Sequence, residues 1–393
     1  MCYRACTPGR TVVPMAEDPT SSLRSFPPFE YMAWAKAVPA GARFAMHGSG
    51  IPAPGPDLPV PTLTSEDWTG PVAPLREAFV ERLTRLLQAP GRAAVLTAGA
   101  SEALFLALGP FVQPDAPVVV EEPAYRAMER VVQFLGGRPV HLVREEGCGW
   151  QLDPERLDAA LARTGARLVG LTDPHNPTGV GASAATRRAV VDVIERRGAL
   201  LVVDEIFAAF REEGQAPAWA ALSERVVSVG SLTKGWGLGA LRLGWVLGAS
   251  SPVRRCAQLF DLLGVIPPTG TVRVGLLALD AAAWLDARAA AAAARARAVF
   301  STIDWHPAAV VVPNAGLIAF LRLPPGWRSE EAARVLRARD GVQVVPGHFF
   351  GSDGHVRVGL PPLDFDPAEG CRLIAARLRR SPPSSRGAGV LTG

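Results

Sequence analysis

The sequence predicts an α/β protein: a large unit built on a mostly parallel sheet flanked by helices, joined to a smaller α+β unit. Three observations carry this. Seven short apolar runs lie between about residues 94 and 248, most of the early ones separated by helix-like stretches. Turn residues bound these runs, and short buried strands alternating with helices are the pattern of a parallel sheet. Beyond Gly248 the chain changes character, to an alanine- and arginine-rich stretch followed by mixed strands and helices.

Taken in order, residues 1–30 are rich in Pro, Ser and Thr and read as a flexible arm. Residues 31–65 form an N-terminal segment in which Pro52, Pro54, Pro56, Pro59 and Pro61 impose an extended course. The large unit spans 66–273, with strands expected at 94–97, 118–121, 139–143, 168–172, 200–204, 226–230 and 243–248. Helices are expected at 101–112, 125–135, 154–163 and 185–196. The small unit spans 274–380: one long helix over 274–300, strands at 308–312, 317–323, 342–345 and 355–360, and helices at 329–339 and 367–379. Residues 381–393 are a Pro/Ser/Gly tail expected to be disordered.

Composition narrows the function classes. Hydrophobic residues make up 48% and charged residues 20%, which is the profile of a folded globular chain. The formal charge is only +4, with acids and bases interleaved, so no basic stripe marks a nucleic-acid partner. Residues 1–90 show no helix-turn-helix pattern, which argues against a DNA-binding regulator. Five scattered cysteines form neither a metal motif nor a disulfide framework. No apolar run reaches the roughly 18 residues of a membrane span, and residues 1–30 lack a signal-peptide core. The chain therefore reads as cytoplasmic.

One bias is informative. Of 41 basic residues only Lys36 and Lys234 are lysines. Arginine replaces lysine for solubility but cannot act as a neutral amine nucleophile. A lysine kept between Thr233 and Gly235, in an apolar glycine-rich segment, points to a need for an amine.

Four segments can carry chemistry. Thr97-Ala98-Gly99-Ala100-Ser101-Glu102 joins a strand to a helix, which fits either a phosphate cradle at the helix N-terminus or an ordinary N-cap. Asp173-Pro174-His175-Asn176-Pro177-Thr178-Gly179 is a rigid loop presenting the Asn176 amide. Asp204 ends a buried apolar strand, where a carboxylate needs a cation. Ser231-Leu232-Thr233-Lys234, with Arg242 beyond it, supplies hydroxyls, an amine and a guanidinium.

Together these segments resemble the fold-type-I pyridoxal 5′-phosphate (PLP) enzymes of the aminotransferase class I/II family, in order and spacing over residues 65–380. The resemblance implies that Lys234 holds PLP as a Schiff base and is the general base, that Asp204 pairs with the ring nitrogen, and that Tyr125 stacks on the ring. It implies phosphate contacts from Gly99, Ala100, Ser101, Ser231 and Arg242, a ring contact from Asn176, and a substrate-carboxylate clamp at Arg357. It also implies a homodimer that acts on an amino acid and a 2-oxo acid. Phe207 stands where the family usually has a tyrosine whose hydroxyl meets the cofactor. Without that hydroxyl the Schiff base should titrate at higher pH. His47-Gly48-Ser49-Gly50-Ile51 is similar to the substrate-lid segment of family members from natural-product pathways, which places Ser49 and Gly50 against substrate, and His47, Ser49 and Trp236 are candidates to line the site. The main expectation is transamination. The alternative is a cyclase, a β/γ-replacement or elimination enzyme, or an oxidative enzyme on the same fold.

Overall fold

The computed structural model describes residues 28–58, 62–211 and 216–382. All but the end of the expected arm, and the tail from residue 383, lie outside the described residues.

Seven strands make one sheet: β1 (Ala93–Thr97), β2 (Pro117–Glu122), β3 (Arg138–Val143), β4 (Leu168–Thr172), β5 (Leu200–Asp204), β6 (Val226–Ser231) and β7 (Gly244–Gly248). Their order is β1-β7-β6-β5-β4-β2-β3. The run from β6 to β3 is parallel, whereas β7 is antiparallel to both β1 and β6. Alternate residues feed two cores, as the two-residue period of a strand requires. Val118, Val120, Val202, Val227 and Val229 meet the helices Ala100–Leu108, Ala127–Phe134 and Ser250–Phe260 on one face. Val119, Val169, Leu201 and Val203 meet the helices Pro154–Thr164 and Ala184–Arg197 on the other. Burial on both faces is why these strands read as continuous apolar runs.

A second, antiparallel sheet orders Val345–Pro346, His355–Gly359, Ile318–Arg322 and Ala309–Val310 side by side. Phe300, Trp305, Leu336, Ile374 and Leu378 fill the core between it and its helices. The N-terminal segment joins this body, because Phe44–Ala45 pairs in parallel with Val342–Gln343.

Two elements depart from expectation. The single strand over 342–345 is divided: Val342–Gln343 pairs with Phe44–Ala45, and after Val344 the chain switches partner to His355–Gly359. The long helix over 274–300 is two helices, Thr269–Asp280 and Ala282–Thr302, broken at Ala281 (φ −93°, ψ 11°). The first packs Val272, Leu276 and Leu279 with Phe79, Leu83 and Trp245 against the large sheet. The second turns Ala292, Ala296 and Phe300 towards the small sheet. Two cores pull one alanine-rich stretch in two directions, and packing overrides helix propensity.

Candidate active site

Ligands of open α/β sheets bind beyond the carboxyl ends of the parallel strands, and the expected residues gather there. Thr97, Gly244 and Ser231 lie level across β1, β7 and β6. Beyond Thr97 the helix Ala100–Leu108 starts at Gly99, whose φ of +89° suits glycine, with no side chain capping the first N–H groups. A Cβ on Gly99 would stand 2.6 Å from Nη2 of Arg242. Glycine is therefore required there on two counts, backbone angle and room for the guanidinium. Arg242 Nη2 also donates to the Ala98 carbonyl at 3.0 Å. Uncapped N–H groups, the exposed Ser101 and a guanidinium at one helix N-terminus make a cradle for a phosphate dianion. Ser231 sits at the same edge, its Oγ accepting from the Thr233 N–H at 3.2 Å.

Asp204 ends β5 beside Thr172. Burial pushes its carboxyl up to about 7, against a hydrogen bond of 3.0 Å from the Ile206 N–H. Such a group is poised to ionise when a cation arrives. The Tyr125 N–H donates to the Asn176 carbonyl at 3.0 Å, which ties the two expected ring contacts together. The loop carrying Asn176 is clamped by His175, whose ring nitrogens lie 2.8 Å from Thr178 Oγ1 and 2.8 Å from the Pro123 carbonyl. Burial holds His175 neutral, its pKa well below the usual imidazole value. Sequence reasoning saw His175 only as part of the loop.

Burial lowers the pKa of the Lys234 amine, and the cations Arg357 and Arg242 reinforce the shift against Tyr31 and Asp204. A depressed amine pKa is what a nucleophilic or basic lysine needs. The Ser49-Gly50-Ile51 segment crosses this lysine: the Ile51 N–H donates to the Lys234 carbonyl at 3.0 Å. A Cβ on Gly50 would lie 3.0 Å from Lys234 Cδ. Ser49 is buried here. Phe207 is buried just after β5, its ring 6.2 Å from that of Phe210, in the core that also holds Ile51. Trp236, expected to line the site, is instead turned into the core beside Phe79 and Trp245, with its indole N–H on Asp286 at 2.7 Å.

Arg357 comes from the other sheet and is 1% exposed. It donates from Nη1 to Asn176 Oδ1 (3.0 Å) and from Nη2 to Tyr31 Oη (3.0 Å) and the His47 carbonyl (2.9 Å). None of these partners is a carboxylate, and Nε has no partner among the described residues. A buried guanidinium without a carboxylate is costly unless an anion completes it. Tyr31, which no sequence motif marks, reaches Arg357 from the short helix Glu30–Ala37.

The helix start at Gly99 without a side-chain cap, the raised pKa of Asp204, the lowered pKa of the Lys234 amine and Arg357 without a carboxylate partner fit a phosphorylated pyridine aldehyde and an α-amino acid. Such a set of groups suits a PLP-dependent transferase. The profile of the family "Aminotransferase class I and II" matches residues 71–366, and the chain belongs to that family. It is 31% identical over 285 residues to capreomycidine synthase from Streptomyces vinaceus, covering 70% of this chain and 72% of that protein. It is 30% identical over 294 residues to arginine–pyruvate transaminase AruH from Pseudomonas aeruginosa, covering 72% and 73%. Among solved structures, aspartate aminotransferase from Thermus thermophilus with maleate superposes with a TM-score of 0.69 at 25% identity, over 77% of this chain and 80% of that one. A PLP-dependent aminotransferase from Streptococcus suis shares the fold, with a TM-score of 0.76 at 20% identity over 91% and 98%. The protein is a PLP-dependent aminotransferase. Among the described residues no helix is long and apolar enough to cross a membrane.

Proposed function

We propose that this enzyme moves an amino group between an amino acid and a 2-oxo acid, with Lys234 as the residue that binds the cofactor covalently and then shuttles the proton at Cα. The buried Arg357 beside Lys234, with no carboxylate among its partners, is the observation that carries the reading. PLP, when bound, supplies the electron sink that makes the Cα–H bond acidic. Asp204 holds the proton on the pyridine nitrogen. Asn176, its Oδ1 committed to Arg357, keeps its amide N–H groups for the ring oxygen. Tyr125 covers the ring, and burial keeps its phenol protonated. Gly99, Ala100, Ser101, Ser231 and Arg242 grip the phosphate. Arg357 takes the substrate carboxylate in a two-point contact and so orients the bond to be broken. Ser49 and Gly50, on the segment crossing Lys234, close the site over the substrate.

The same reading takes 66–273 as the large PLP-binding unit and 274–380 as the small one, in a cytoplasmic homodimer. Leu262, Leu263, Val265 and Ile266 are 81, 53, 67 and 58% exposed in one short loop, an apolar patch suited to a second copy of the chain. Because one relative is named for arginine and pyruvate, basic amino acids are the first substrates to try. Likeness to capreomycidine synthase, with Phe207 supplying no hydroxyl, supports a second reading: a non-transaminating enzyme of a biosynthetic pathway.

The test is to add single L-amino acids, without any 2-oxo acid, to the PLP-loaded enzyme. Transamination predicts loss of the cofactor's long-wavelength absorption with release of one 2-oxo acid per site, abolished in Lys234→Ala. A spectral change with no 2-oxo acid released would favour the second reading.

A further inference from the structure

A guanidinium offers a carboxylate two planar forks, Nη1 with Nη2 at its end and Nε with Nη2 along its side. Both forks use Nη2. In Arg357 the two hydrogens of Nη2 are already committed, one to Tyr31 Oη at 3.0 Å and one to the His47 carbonyl at 2.9 Å. Neither fork can receive a carboxylate until one of these acceptors leaves. The His47 carbonyl is backbone in a segment fixed by neighbouring hydrogen bonds, Gly359 N–H to the Met46 carbonyl (2.8 Å) and Ile51 N–H to the Lys234 carbonyl (3.0 Å). Tyr31 is held more lightly. Its helix, Glu30–Ala37, has no fully buried side chain and no side-chain N-cap. Ring contacts hold it to the site: Tyr31 with Tyr125 (5.3 Å) and Phe350 (5.7 Å), and Trp34 with Phe349 (5.5 Å).

We propose that Tyr31 is a positioning residue that occupies the substrate-carboxylate place on Arg357, and that the incoming carboxylate displaces it, releasing the helix Glu30–Ala37 from the site. Tyr31 and its helix lie outside the residues matched by the family profile, 71–366, so this device is written in the chain's own N-terminal segment. Its consequence is selective: only a ligand whose carboxylate outcompetes a phenol for Nη2 opens the helix. The proposal rests on the reading of Arg357 as the carboxylate clamp.

The experiment uses the PLP-loaded enzyme and the unreactive carboxylates acetate, propanoate and maleate. Their affinities are read from the cofactor's absorption, and backbone amide exchange is followed over residues 30–37. Tyr31→Phe keeps the ring and removes only the competitor, so carboxylates should bind about threefold or more tightly. In the native enzyme each carboxylate should speed exchange in 30–37, and in Tyr31→Phe exchange should already be fast without ligand. Unchanged or weaker carboxylate binding in Tyr31→Phe, or slower exchange over 30–37 on adding ligand, would overturn the proposal. Arg357→Gln separates the two failures. If it binds carboxylates as well as the native enzyme, the clamp reading falls and the latch with it. If it loses them while Tyr31→Phe shows no gain, the latch alone falls.

Discussion

Asn176 Oδ1 accepts a hydrogen bond of 3.0 Å from Nη1 of Arg357, so the residue proposed to meet the cofactor ring holds the residue proposed to take the substrate carboxylate. The two come from different sheets, and the bond fixes one against the other. Replacing Asn176 with Ala leaves a buried cation short of an acceptor as well as removing a ring contact. We expect a fall in kcat/KM of about a hundredfold, in line with a loss near 3 kcal/mol. Asn176→Ala should weaken cofactor and carboxylate binding together, checked by titrating each separately.

At Gly99 the constraint is steric and local. Gly99→Ala places a methyl 2.6 Å from Arg242 Nη2 at a φ of +89°, so the guanidinium must retreat. PLP should bind at least about tenfold more weakly, given the strength of a charge-assisted contact. Pyridoxal, which has no phosphate, should bind the variant and the native protein alike. Equal losses for both compounds would point to a fold defect instead.

The cofactor-free protein should carry the mark of Asp204. Its carboxyl titrates at about 7 in the folded chain, whereas an unfolded aspartate titrates near ~3.9. Between these values the folded state keeps a proton that the unfolded state has lost. Stability from this group therefore falls as pH rises through the window, by at most about 1.4 kcal/mol per pH unit, and levels off above 7. Asp204→Asn should remove that slope. Denaturant midpoints of the cofactor-free native and variant proteins between pH 4 and 8 would show it, the variant being the more stable at the alkaline end.

The patch at Leu262–Ile266 predicts assembly. Sedimentation of the native enzyme should give twice the 41.5 kDa chain mass. The double change Leu263→Asp with Ile266→Asp should give the single-chain mass while leaving the helical circular dichroism intact, because both side chains are more than half exposed.

Much of this was legible in the residues because of how the chain is buried. The inner strands of the large sheet are covered on both faces, so they stand out as apolar runs, and the chemistry-bearing residues sit at strand ends: Thr97, Asp204 and Ser231. What stayed hidden depends on long-range packing. Nothing in the alanine-rich stretch marks Ala281 as a break, because the two cores that divide it are built by Phe79 and Leu336, far away in the chain. Val344 switches sheets through partners some 300 residues back in one direction and a dozen ahead in the other. Tyr31 lies on a helix with little amphipathic pattern, and its meaning appears only when Arg357 is beside it. Trp236, a candidate to line the site, has its indole in the core beside Phe79 and Trp245, a placement that only tertiary packing decides.

The cradle at Gly99, the carboxylate of Asp204 and the amine of Lys234 all hang from one rigid sheet, whereas Arg357 and Tyr31 arrive from the smaller body and the N-terminal helix. Such a division of labour is evolvable. On the proposed roles, mutation in the small body and the N-terminal helix can redraw the list of accepted amino acids without touching the residues that hold the coenzyme.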